Sequence, residues 1–105
     1  MSRIKHCVFI EFKAQFSTQQ RLDILQKLAA LKPLIPGFIA MDFGQNLDLE
    51  NKSNCNAGFT IDFENQAALA CYSQHPQHQQ LGAQLVSMSV NGADGIMVYD
   101  LLGAN

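Results

Sequence analysis

Apolar and polar residues alternate over short runs, and two of the gaps between runs carry helical spacing. Residues 4–12, IKHCVFIEF, place Ile4, His6, Val8, Ile10 and Phe12 on one face and Lys5, Cys7, Phe9 and Glu11 on the other. That is the period-2 pattern of a strand. The second face is itself half apolar, which predicts cover on both sides at mid-strand. Residues 38–43 (FIAMDF), 57–63 (AGFTIDF) and 96–102 (IMVYDLL) read as three more strands. Gly58 inside the third marks a weak point or a bulge.

The first helix begins at FSTQQ. Ser17 is placed to cap it, with Gln20 completing a capping box. Leu22, Ile24, Leu25, Leu28, Ala29 and Leu31 make its apolar stripe, and Pro33 and Pro36-Gly37 end it. GQNLDLENKSNCN is a polar loop. ENQAALACYSQ reads as a short helix with Ala68, Leu69 and Tyr72 on one side, broken at His75-Pro76. Pro76 suits the first position of a new helix that turns Leu81, Leu85 and Met88 inward.

The order β-α-β-β-α-β, with the second helix broken, predicts an α+β, ferredoxin-like fold. Its four-stranded antiparallel sheet carries helices on one face. The other face would hold Cys7, Phe9, Phe38, Ala40, Met97 and Tyr99. An apolar patch of that size predicts an interface, covered here by a sheet-to-sheet homodimer closing into an α/β barrel.

Composition narrows the classes. The 105 residues have room for one domain, 1–105. Only 15% of residues are charged, so the surface is short of charge and has area to give to another subunit. The seven Lys and Arg are scattered and the net charge is −2, which argues against nucleic acid and membrane surfaces as partners. Charges inside MSRIKHCVFIEF argue against a signal peptide, and no apolar run approaches a bilayer span. Three cysteines without a C-x-x-C predict free thiols in a reducing cytoplasm. Cys7 and Cys71 read as small core residues, and Asp62 and Glu64 as solvated strand-end charges.

Candidate chemistry gathers in CYSQHPQHQQL, residues 71–81. His78 shares a helix face with Leu81, Leu85 and Met88 and sits in a first turn. The helix dipole and burial both disfavour imidazolium there. A neutral histidine in an apolar setting is suited to general-base work. Tyr72 faces inward and its hydroxyl could orient a substrate oxygen. His6 lies on the strand face shared with Val8 and Ile10. Singly, each reads as a core residue; together they would put three titratable groups in one helix–sheet layer. The walls of such a pocket would be Val8, Ile10, Ile39, Met41, Phe59, Ile96 and Val98 from the sheet, with Leu81 from the last helix. His75 is expected to face out or cap the following helix. H-x-x-H interrupted by proline, with no carboxylate or cysteine at ligand spacing, is a poor metal site, and no cofactor motif is present.

IKHCVFIEFK, IPGFIAMDFGQN, FTIDFENQAALACYSQHPQHQQL and MVYDL, in that order, resemble the stress-responsive A/B barrel (Dabb) family from residue 3 to about 102. The K-H start, the I-P-G turn and the A-x-x-x-Y-x-x-H-P-x-H block carry the resemblance. It implies a ferredoxin-like subunit that dimerises through its sheets. A plant polyketide cyclase of the family performs a cofactor-free aldol condensation. Its catalytic histidine matches His78, its tyrosine Tyr72 and a pocket histidine His6. A further pocket histidine of that enzyme falls where this chain has Ala57, and the aromatic pocket walls on its first helix fall where this chain has Ile24, Leu25 and Leu28, so the resemblance implies Ile24 and Leu28 as further wall residues. The implied function is a cofactor-free cyclase or lyase acting on a small carbonyl compound. The alternatives are a non-catalytic binding or stress-associated module and a cofactor-free monooxygenase.

Overall fold

The computed structural model describes residues 3–103. Strand β1 spans Ile4–Ile10, helix α1 Thr18–Ala29, β2 Phe38–Gln45, β3 Ala57–Phe63, α2 Gln66–Gln74, α3 Pro76–Met88 and β4 Ile96–Leu102. Short 3₁₀ turns at Lys32–Leu34 and Gly92–Gly95 precede β2 and β4. The strands form one antiparallel sheet in the order β2-β3-β1-β4. This is the ferredoxin-like arrangement that the alternation predicts.

Local chemistry fixes the element ends. Ser17 accepts from the Gln20 amide at 3.1 Å while the Gln20 side chain accepts from the Ser17 amide at 2.8 Å, so both halves of the capping box form. Asn65 caps α2 by accepting from the Ala68 amide. Pro76 opens α3, and His75 Nδ1 accepts from the Gln77 amide at 3.1 Å. His75 therefore caps the helix.

Gly37, in the turn before β2, has φ +86°, and a Cβ there would lie 2.6 Å from the Ala68 Cβ. Replacing it with alanine combines backbone strain with a clash against α2. Gly37→Ala is expected to lower stability by more than about 1 kcal/mol, read as a lower urea midpoint at unchanged slope.

The core lies between the sheet and α1, α2 and α3. Ile10, Leu25, Ile61 and Phe63 are fully sealed, and Ile24, Leu28, Val8 and Phe59 nearly so. The helices lean on β1, β2 and β3 and leave β4 almost uncovered. Val98 and Leu102, on the helix side, are consequently exposed, and Met97, Tyr99 and Leu101 are exposed on the opposite face.

Four details differ from the sequence reading. The register of β2 against β3 shifts between Phe38 and Ala40, so the bulge is at Ile39 and not at Gly58. The extra residue turns Phe38 to the helix side, where it is buried, instead of the bare face. Ile39 is thereby taken out of the alternation that made it a pocket wall. Cys71 is exposed and not a core residue, whereas Cys7 is buried although it lies on the bare face. Asp62 is not an isolated charge: it pairs with Lys5, its cross-strand partner, at 2.8 Å. Finally, β1 stops at Ile10, two residues short of the predicted end, while Phe12 bridges to Ser89.

Candidate functional site

Three elements bring His6, Tyr72 and His78 together on the helix side of the sheet. Tyr72 is the hub. Its ring lies 4.1 Å from that of His78 and 5.8 Å from that of His6, centroid to centroid. Phe63 and Phe38 pack on it at 5.2 Å and 5.9 Å. Helical spacing on α2 turns Tyr72 inward with Ala68, and the restart at Pro76 brings His78 back over it.

The polar atoms of this cluster are unequally satisfied. His6 Nδ1 donates to Asp100 Oδ1 at 2.5 Å. His78 Nδ1 donates to the Ser73 carbonyl at 3.3 Å, which assigns the tautomer and leaves Nε2 as the acceptor. The Tyr72 hydroxyl is buried and has no hydrogen-bond partner among the described residues. Burial holds its pKa well above the usual phenol range, so it stays a protonated donor.

His78 is half-buried, and desolvation lowers its pKa below the ordinary 6.5, opposed by the Ser73 hydrogen bond and reinforced by His6 and His75. The imidazole is thus neutral near pH 7, for the burial that the inward helix face predicts. A histidine whose folded pKa is depressed contributes stability that is complete above its unfolded pKa. That contribution is lost as pH falls through the folded value. We expect the urea midpoint to drop as pH is lowered below 6.5, and His78→Gln to flatten that part of the profile.

Asp100 belongs to the cluster, and the sequence reading did not single it out. The signal was present: strand alternation places Asp100 on the face of Val98 and Ile96, and register sets it opposite His6. The aromatic surround of Phe38, Phe59 and Phe63 was visible only in part, because the bulge at Ile39 hid Phe38.

The expected wall residues fall into two groups. Val8, Ile10, Ile24, Leu28 and Phe59 are buried against one another in the core, with Met41 at its margin. Leu81 and Ile96 are partly buried, and Val98 stands 52% exposed where the helices do not reach. At the edge of the cluster the Asp100 side chain is 43% exposed and that of His6 12%, while Tyr72 at its centre is buried. Ala57 is buried at the end of β3. A concavity of about 650 Å³ lies on the opposite face of the sheet, lined by Phe9, Gly44, Gly58, Met97 and Tyr99 among others; His6, Tyr72 and His78 are not in its lining. Among the described residues, no three His, Cys, Asp or Glu side chains gather as a metal site.

Comparison with known proteins gives the family and the fold. The stress responsive A/B barrel domain, Dabb, matches residues 4–101. The chain belongs to the Dabb family. A dimeric ferredoxin-like protein of unknown function from Jannaschia sp. CCS1 is 36% identical, with 94% of this chain and 97% of that one covered and a TM-score of 0.86. A Dabb family protein from Mesorhizobium loti is 19% identical over the whole of both chains, with a TM-score of 0.76. A hydroxynitrile lyase from Passiflora edulis is 16% identical over 98% and 94%, with a TM-score of 0.81; at that identity the likeness is one of fold. No curated protein matches the chain. Among the described residues, no helix of this Dabb protein is long and apolar enough to cross a membrane.

Proposed function

We propose that this Dabb protein is a homodimer, packed sheet to sheet into an α/β barrel, whose subunits each move protons on a small, largely apolar carbonyl compound of polyketide type. The observation that carries the reading is the Tyr72 hydroxyl: a buried donor without a partner, set against a neutral histidine. Such an orphan costs about 1–3 kcal/mol, and a ligand carbonyl oxygen would satisfy it. His78 Nε2 takes a proton from the carbon beside that carbonyl. The enolate oxygen is held by the Tyr72 hydroxyl, and the carbanion attacks a second carbonyl of the same molecule to form a carbon–carbon bond. The resulting alkoxide receives its proton from the His78 imidazolium. His6, fixed by Asp100, lines the site, with Val98, Ile96 and Leu81 as its open walls. The step needs only an acid, a base and an oxyanion donor.

The Jannaschia relative, dimeric by description, supports the dimer, as does the exposed apolar row on β4. A linear β-polyketone panel tests the chemistry: the wild-type chain should turn over at least one member, and no turnover across the panel would leave the catalytic reading without support. One observation favours a second reading, a non-catalytic binding module. Tyr72 is only 1% exposed, so a ligand reaches its hydroxyl only by displacing neighbours. That reading predicts ligand-dependent thermal stabilisation without turnover.

A further inference from the structure

Among the described residues, the cluster around Tyr72 holds one carboxylate and no lysine or arginine. Asp100 stands on the helix side of β4 between Val98 and Leu102, so its neighbours along that face of the strand are exposed apolar side chains. Its carboxylate accepts from His6 Nδ1, and no lysine or arginine among the described residues lies within ion-pair distance of it. Lys5, one position before His6, points to the opposite face and pairs there with Asp62 at 2.8 Å. The Tyr72 and His78 rings meet each other, His6, Phe38, Phe63 and the Ser73 carbonyl. The donors and acceptors are equally lopsided. The Tyr72 hydroxyl is a free donor. With each Nδ1 engaged as a donor, Nε2 of neutral His6 and of neutral His78 are acceptors.

We propose that Asp100 is a specificity-determining residue: it makes the site refuse anionic ligands, so that the site takes uncharged ketones and keto esters and not the corresponding keto acids. The inference rests on the ligand site proposed above and fixes the charge of what enters it. A carboxylate brought beside Tyr72 places a second negative charge near Asp100, and the apolar side chains around it leave the repulsion less screened than in open water. Nothing positive in the cluster offsets the loss of that carboxylate's hydration. The anion also adds acceptors to a site whose two imidazole nitrogens are themselves acceptors. An uncharged ester of the same skeleton gives its ketone oxygen to the Tyr72 hydroxyl and meets neither penalty.

Isothermal titration calorimetry of the full chain with methyl benzoylacetate and with benzoylacetate, which differ by one methyl group and one charge, tests the inference without need of turnover. The wild type is expected to bind the ester about tenfold or more tighter than the acid, and added salt to narrow the gap. Asp100→Asn keeps an acceptor for His6 Nδ1 and removes the charge. It is expected to bind the acid about tenfold tighter than the wild type does and the ester within about twofold of wild type. Equal binding of the two probes by the wild type overturns the inference and leaves the ligand site standing. A gap that Asp100→Asn does not narrow overturns the role of Asp100. Binding of neither probe overturns the ligand reading itself, and the inference with it.

Discussion

Replacing His78 with glutamine should lower kcat/KM on any β-polyketone the wild type accepts by about 10²–10⁴-fold, the usual range for removal of a general acid–base group. The geometry makes the loss specific. His78 Nδ1 is occupied by the Ser73 carbonyl, so the free Nε2 is the only nitrogen of that ring available as base. Glutamine keeps a hydrogen-bonding head of similar reach but cannot take up a proton. Stability should change little by comparison, because one 3.3 Å hydrogen bond at a half-buried site is worth about 1 kcal/mol. The wild-type pH profile gives a second measure. Desolvation lowers the His78 pKa, so the base form persists to lower pH than in an ordinary histidine. The acid limb of kcat/KM should fall below pH 6.5 and vanish from any residual activity of the variant. Undiminished turnover by His78→Gln would remove this residue from the mechanism.

Tyr72 should separate packing from chemistry. Tyr72→Ala empties a space enclosed by Phe38, Phe63, His6 and His78. Truncating a buried aromatic ring costs about 3–5 kcal/mol, to be read from urea midpoints at fixed protomer concentration, since dimerisation shifts apparent stability. Tyr72→Phe should act in the opposite direction. The ring contacts remain, and the unpartnered buried hydroxyl is gone. Stability should stay level or rise by about 1 kcal/mol, while turnover falls because the enolate oxygen loses its donor. A Tyr72→Phe protein that is markedly less stable would show that the hydroxyl is satisfied in solution. The oxyanion role would then be lost with it.

Much of the candidate site was legible along the chain. The heptad-like spacing after Pro76 set His78 inward, the 68–72 spacing did the same for Tyr72, and strand alternation put His6 with Val8 and Ile10. Each of these inferences uses one element and its period, which neighbouring residues alone fix. Asp100 was within reach by the same rule but needed the β1–β4 register to be paired with His6. Phe38 was out of reach. A single extra residue at Ile39 reverses every side chain before it, and a bulge leaves no reliable mark in a pattern of apolar residues.

The sequence alone determined the element order, the capping box of α1, the restart of α3 at Pro76, the inward faces and the family. These follow from backbone propensities, hydrophobic periodicity and a motif whose residues stand close together in the chain. Only the tertiary structure decided which groups meet. It joined His6 to Asp100 across 94 positions, set the Tyr72 and His78 rings 4.1 Å apart and left the Tyr72 hydroxyl alone. It also showed that the helices cover three strands and leave β4 bare, and that Gly44 and Gly58 lie side by side under an open hollow. Contacts between distant segments depend on register and on how helices seat on a sheet, and these are settled by packing the whole chain at once.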